Sequence, residues 1–302
     1  MGVMARAQMM KELIPGLNAI FSQEYKQYEN EHEAFYDKDT SDRSFEEELK
    51  IAGLGAAPVK AEGQSIQYDQ GQEAYNVIYR HETVGLAFSL TEEAVEDNLY
   101  ASLSKRYSKM LARSMAYTKQ VKAAFLLNVA YTSTSYAAGD GGAICDVHAT
   151  VLGGSNTNEF TDATDLSEAS LEQATINMSK FVDERGLLIA VQPRKLIIPV
   201  DLQFEACRIL DSQLRVGTAD NDISAIYHNS TIPEGYAVNH YLTDADNWFL
   251  FNDIPDGFKH FVRVPLQTGM DGDFNTGNVR YKARERYSFG VSDFLQVYGS
   301  GD

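Results

Sequence analysis

Asp271-Gly272-Asp273-Phe274-Asn275 begins as a calcium-binding loop does, with oxygen ligands at alternate positions. Thr276 then stands where such a loop needs glycine for its sharp turn. Lys282 stands where a bidentate carboxylate would close the coordination, so the segment reads as a polar loop. Cys145-Asp146-Val147-His148 offers a thiolate and an imidazole, two of the four ligands of tetrahedral zinc, but no second pair sits at a matching spacing. His32, His81, His148, His228, His240 and His260 are scattered, and each reads as a hydrogen-bonded structural residue. Acidic pairs such as Asp244 and Asp246 are too common by chance to indicate acid–base chemistry. The chain has no Gly-x-Ser-x-Gly elbow, phosphate loop, dinucleotide fingerprint or His-Glu-x-x-His. No catalytic, cofactor or metal residues are assigned, and the expectation is a protein that is not an enzyme.

Charge patterning is more informative. The 302 residues carry a net charge of −17, which repels polyanions and argues against whole-protein nucleic-acid binding. Against that background Lys105, Arg106, Lys109, Arg113, Lys119 and Lys122 crowd one segment, suited to a charged partner surface. Arg280, Lys282, Arg284 and Arg286 alternate with Val279, Tyr281, Ala283, Glu285 and Tyr287, the period of a half-buried strand. The four cations are either a solvated sheet face or a row that meets acidic groups of an adjacent chain. Together with Lys105, Arg106, Lys109 and Arg113 they are the candidate intersubunit contacts.

The elements that must position these residues follow from periodicity. Leu86 to Ala138 contains neither glycine nor proline, and within it Leu99 to Tyr131 reads as one helix of ~50 Å, longer than most compact domains are wide. Its apolar stripe is Leu99, Leu103, Tyr107, Leu111, Met115, Thr118, Val121, Phe125 and Val129; a coiled coil is the alternative reading. Ser89-Leu90-Thr91-Glu92 has capping-box spacing before it. Met4 to Asn30 is helix-compatible but interrupted at Pro15-Gly16, with an apolar face of Leu17, Ile20, Phe21 and Tyr25. Glu29 to Lys50 is dominated by charge, either a solvated linker or an arm ordered by another subunit. Gly63 to Leu90 alternates as a long hairpin, with Ile66 and Tyr68 before the turn Asp69–Gln72 and Tyr75, Val77, Tyr79, Val84, Leu86, Phe88 and Leu90 after it.

After a loop-like stretch from Tyr131 to Asp165 comes an α/β pattern. A helix over Ser167–Asp183 ends at Gly186, and short strands are expected at Leu187–Val191 and Leu196–Val200. Asp201 caps a helix to Asp211. Strands follow at Tyr236–Leu242, Trp248–Phe251, Phe258–Val264 and Val279–Val291. Two cysteines are too few for a disulfide framework, as expected in a reducing compartment. No stretch approaches the ~18–20 apolar residues of a membrane span, and the N-terminus lacks a secretory pattern, so a soluble protein made in a cytoplasm is expected.

This order of elements, with particular strings, resembles the major capsid protein of tailed double-stranded DNA phages, the HK97-like fold, and within it the Mu-type head subunits. The strings are 183–190 (DERGLLIA), 193–199 (PRKLIIP), 214–222 (LRVGTADND), 232–236 (IPEGY), 261–266 (FVRVPL) and 277–290 (GNVRYKARERYSFG). The resemblance implies an α+β capsid fold: an N-terminal arm at 1–58, an extended β-hairpin loop at 59–90, a peripheral domain at 91–140 and 258–302 with the long helix as spine, and an axial α/β domain at 141–257. It implies self-assembly as pentamers and hexamers into an icosahedral shell around the genome, in a virion assembled in the host bacterial cytoplasm. Implied partners are further copies of the chain, a portal protein, a decoration protein in some relatives, and DNA enclosed without sequence-specific binding; no membrane is implied. Relatives often carry an N-terminal scaffolding domain of about a hundred residues. Its absence here suggests a separate scaffolding protein or prior trimming. Some relatives crosslink through a lysine in the extended loop, but Lys60 lies at the base of the expected hairpin and that chemistry is not carried over. An encapsulin-type compartment that loads an enzyme is the alternative.

Overall fold

The computed structural model describes residues 6–91, 93, 100–134, 139–151, 153–215, 222–272 and 277–301, with backbone alone at 6–14 and 100–103. Its frame is a long helix laid across a four-stranded sheet. Helix α1 (Arg6–Tyr25) runs through Pro15 without the interruption expected there. Proline removes one backbone bond, but Leu17 and Phe21, one turn apart, are buried against Leu111, Ala112 and Met115 of helix α2 (Tyr100–Asn128). Tertiary packing outweighs the local break.

Helix α2 spans 29 residues, ~43 Å. Its buried face keeps Leu111 and Met115 of the stripe read from the sequence but is rotated from the rest: Tyr107, Val121 and Phe125 are exposed, whereas Ser104, Ser108, Ala112, Ala116, Gln120, Ala123, Ala124 and Leu127 are buried. Small side chains let the helix lie close to the strands beneath it, and α1 fills the groove alongside. The helix therefore packs within its own chain, and no coiled coil forms there. The expected cap at 89–92 and helix start at Leu99 fall partly outside the described residues.

The first sheet has the order β1-β10-β11-β4. Strand β1 (Asp37–Thr40) runs parallel to β10 (Phe258–Gly272), which pairs antiparallel with β11 (Val279–Val291), and β11 in turn with β4 (Glu82–Leu90). Strand β11 has the bounds the alternation indicated, and its inward residues Val279, Tyr281, Ala283, Glu285 and Tyr287 are all buried.

A second sheet, β12-β9-β7-β8, organises the α/β unit: β7 (Pro193–Ile198), β8 (Tyr236–Val238), β9 (Trp248–Asn252) and β12 (Val297–Ser300). All five residues of β9 are buried. Helix α3 (Glu168–Met178) starts at Ser167, whose hydroxyl accepts from the Ser170 amide in a reciprocal capping box, and it buries Leu171, Ala174 and Met178. Helices α4 (Gln203–Asp211) and α5 (Ala225–His228) flank it, and β5 (Val147–Ala149) pairs with β6 (Ser155–Thr157). Asp201 lies in a short 3-10 turn ahead of α4, whose N-cap is Leu202. Leu187–Val191 is not a strand. It makes a single bridge, Val182 to Leu188, and Ala190 adopts a positive φ of 56° that breaks extended pairing.

The largest departure concerns the hairpin. Its strands are β2 (Phe45–Ala52) and β3 (Gln72–Arg80), not Ile66–Tyr68 against Tyr75–Tyr79. Strand β4, expected as its continuation, belongs to the first sheet. The charged segment from Glu29 to Lys50 is thus neither linker nor disordered arm: His32, Phe35 and Tyr36 are buried, β1 joins a sheet and β2 builds the hairpin.

Candidate assembly surfaces

Arg280, Lys282 and Arg284 are exposed and Arg286 is half-buried, with its Nη2 donating to the Ser44 carbonyl at 3.5 Å. Their cross-strand neighbours are small or neutral: Gly269 and Gln267 on one side, Ser89, Ala87, Gly85 and Thr83 on the other. Asp271 lies opposite Arg280. The row stands on an open sheet face, because the other face of β11 packs against α2.

On α2, Lys105, Arg106, Lys109 and Arg113 are exposed, and Lys109 pairs with Glu24 of α1 at 3.0 Å. The two cationic groups occupy different surfaces and do not converge. Lys119 and Lys122, which sequence grouped with them, are engaged within the chain. Lys122 binds Glu82, and Lys119 lies 2.5 Å from Glu285 Oε2 and 2.8 Å from the Tyr25 hydroxyl. Burial opposes the charge of Lys119, but Glu285 and Tyr25 outweigh it and hold its pKa above the usual value. Burial also raises the pKa of Glu285, partly offset by Lys119. The interior place of Glu285 was legible from its phase in β11; its partner was not.

The hairpin's two faces are both mixed, with Tyr75 and Tyr79 of β3 packed inward on Phe294 and Phe261 beside the ion pairs of β2. On that inner face Lys50 pairs with Asp293 at 2.8 Å and Glu184 at 3.8 Å, Glu48 binds Lys259 and Ser292, and Glu46 accepts from Ser41 at 2.6 Å. Its outer face carries exposed Phe45, Leu49, Ile51 and Ile78, interleaved with exposed Glu47, Glu73, Asn76 and Arg80. Exposed apolar side chains grouped among polar ones in this way suit an association surface. At the hairpin root His81, between β3 and β4, is bonded to Ser288 at 3.0 Å and Ser41 at 2.9 Å. Tyr79 binds Ser292 and packs on Gly290, which has no room for a side chain.

Cys145 and His148 of the zinc-like pair have other partners. Cys145 is fully buried, which pushes its thiol pKa up, and His148 pairs with Asp140 at 2.5 Å and stacks on Phe294. Residues 273–276 of the calcium-like loop lie outside the described residues. Among the described residues no cluster of histidine, cysteine and carboxylate side chains could hold a metal, and no helix is long and apolar enough to cross a membrane. His32 and His260, rings 5.1 Å apart, are buried between the N-terminal segment and β10.

Residues 74–300 match the sequence profile of the phage capsid protein family, a span that includes most of β3, the spine helix, the second sheet, strands β4, β10 and β11 of the first, and the cationic row. The chain belongs to the phage capsid protein family. Solved structures agree on the fold, which is the α+β HK97-like capsid fold. The virus-like particle from Pyrococcus furiosus superposes with a TM-score of 0.56 at 9% identity, covering 96% of this chain and 100% of that one. The capsid of a native GTA particle gives 0.54 at 12% identity, covering 90% of each chain. The capsid of cyanophage P-SCSP1u gives 0.54 at 11%, covering 87% of this chain and 85% of that one. No curated protein matches the chain. As a major capsid protein it self-associates into a shell and resides in the virion, and its role is structural.

Proposed function

We propose that this capsid protein assembles as pentamers and hexamers into an icosahedral shell enclosing a double-stranded DNA phage genome, as a Mu-type head subunit. The observation that carries this reading is the projecting hairpin, whose outer face turns Phe45, Leu49, Ile51 and Ile78 to solvent among Glu47, Glu73, Asn76 and Arg80, a composition suited to a surface where copies abut. The unit around the second sheet serves as the axial domain and clusters about the symmetry axes. The spine helix with the first sheet serves as the peripheral domain. The extended loop is residues 45–80, reaching a neighbour, and the N-terminal arm precedes it. Contacts of this type are heterologous and close into rings, and their number makes individually modest interfaces cooperative. A net charge of −17 keeps packaged DNA from adhering to the wall.

Assembly takes place in the host bacterial cytoplasm, with a separate scaffolding protein, a portal at one vertex and, on some shells, a decoration protein. The exposed cations Arg280, Lys282, Arg284, Lys105, Arg106 and Arg113 supply electrostatic contacts to acidic neighbours. The fold it shares with a virus-like particle supports a second reading, an encapsulin-type compartment that loads an enzyme. Electron microscopy of the expressed protein with its assembly partners separates the two. Closed shells that enclose or package DNA support the head. Shells that copurify with an enzyme instead, or monomers under every scaffolded condition, refute it.

A further inference from the structure

Strand β4 is an open edge. It is nine residues long, ~30 Å, and among the described residues pairs on one side only, with β11. In an antiparallel ladder every second residue turns its N–H and C=O away from the partner. Among the described residues no backbone bond reaches 82–90 from the other side. Long edges are normally blunted by lysine, proline, a bulge or shortness. Strand β1 at the opposite edge is such a case, four residues reading Asp-Lys-Asp-Thr. Strand β4 has a single charge, Glu82 at its very start, and no proline. Half-buried Val84 and Phe88 and exposed Leu86 lie on its core side, with Tyr107 of the spine helix stacked on Phe88 at 5.5 Å.

The same chain contains a strand pattern with no strand partner. Gln64-Ser65-Ile66-Gln67-Tyr68 alternates as a half-buried strand does, yet Ile66 is 71% and Tyr68 97% exposed. The segment lies beyond a clasp in which Asp69 accepts from the Gly55 amide at 2.8 Å and from Arg185. It cannot fold back onto its own β4. Strand β3 leads away beside Phe294 to a loop held at Arg185, while β4 lies along Val279–Tyr287, so the whole of β3, ~30 Å, separates them.

We infer that Gln64–Tyr68 of one copy adds as a strand to the free edge of β4 in a neighbouring copy. The inference rests on the shell reading and gives its extended loop a specific seat. Ile66 and Tyr68 extend the apolar row of Val84, Leu86 and Phe88, and Ser65 and Gln67 lie beside Thr83, Gly85 and Ala87. Main-chain bonds supply affinity, and the alternating side chains set the register.

The test is crosslinking within assembled shells. In a Cys207→Ser background, with Cys145 buried, Ile66→Cys and Leu86→Cys are combined and treated with a bis-maleimide that reaches a diagonal cross-strand neighbour, ~7–8 Å. A ladder of covalent dimers and higher oligomers is expected, from shells but not free subunits, and only for the double variant. Shells without a ladder, or a monomer crosslinked to itself, overturn the inference while leaving the shell reading intact. In parallel, Ile66→Asp with Tyr68→Asp, both at exposed positions, should cut shell yield about tenfold with unchanged unfolding of the free subunit. Undiminished yield also overturns it. Failure of the unmodified protein to form shells defeats the shell reading itself, and this inference with it.

Discussion

Removing the amine of Lys119 tests whether the N-terminal helix, spine helix and sheet are joined through one buried charge pair. Lys119 Nζ lies 2.5 Å from Glu285 Oε2 and 2.8 Å from the Tyr25 hydroxyl, with the Tyr25 and Tyr287 rings 5.4 and 5.3 Å away. Glu285 is 2% exposed, and among the described residues its Oε1 has no hydrogen-bond partner. In Lys119→Met the methionine fills the stem volume but leaves the carboxylate buried and alone. Breaking a buried pair from one side costs about 3–5 kcal/mol. At roughly 2 °C per kcal/mol for a chain of this size, thermal unfolding of the free subunit should fall by ~6–10 °C. Adding Glu285→Met removes the stranded charge, and the double variant should recover most of the loss, since an apolar replacement of both partners is near neutral. A single variant that loses less than ~1 kcal/mol, or a double variant no more stable than the single, would refute the argument.

His260→Phe should stabilise the subunit: the ring already stacks on Phe289 at 4.4 Å, and neither ring nitrogen has a hydrogen-bond partner among the described residues. Burial lowers the pKa of His260 to about 3 and of His32 to about 4. Because both are depressed below the unfolded value, their contribution is present above pH ~6.5 and is lost as pH falls towards 4 and 3; denaturant titrations at several pH values should show that loss reduced in His260→Phe. Gly290→Ala places a methyl against the Tyr79 ring, so a cost of about 1–3 kcal/mol and weaker amide protection of β3 are expected, read by hydrogen exchange. Replacing Arg280, Lys282, Arg284 and Arg286 together by serine should impair assembly, measured by sedimentation, more than subunit folding, measured by circular dichroism. Amides of β2 should be protected in free subunits and those of 56–68 only in shells.

Local periodicity was sufficient for β11, whose alternating charge and aromatic positions gave both its bounds and its faces, because a strand half-buried on one side records that side at every second residue. It was sufficient for the existence of α3, which starts where expected but ends at Met178, short of Asp183, and of a long helix where neither glycine nor proline interrupts. The chemistry of the family was also carried by sequence, in strings spread over residues 183–290. What only the tertiary structure decided were choices among nearly equivalent partners. The spine helix offered a stripe of large apolar residues and an adjoining one of alanine and serine, and packing against the sheet buried Leu111 and Met115 of the first together with the small side chains of the second. Strand β3 could have paired with 66–68 but took 45–52, because Glu48 and Lys50 find Lys259, Asp293 and Glu184 on that side. Those partners lie more than a hundred residues away in the chain, and no local pattern encodes a contact made across that distance. The result is a hairpin that holds Glu48 and Lys50 in distant ion pairs beside Tyr75 and Tyr79 and leaves Phe45, Leu49, Ile51 and Ile78 exposed, an arrangement that no local pattern encodes.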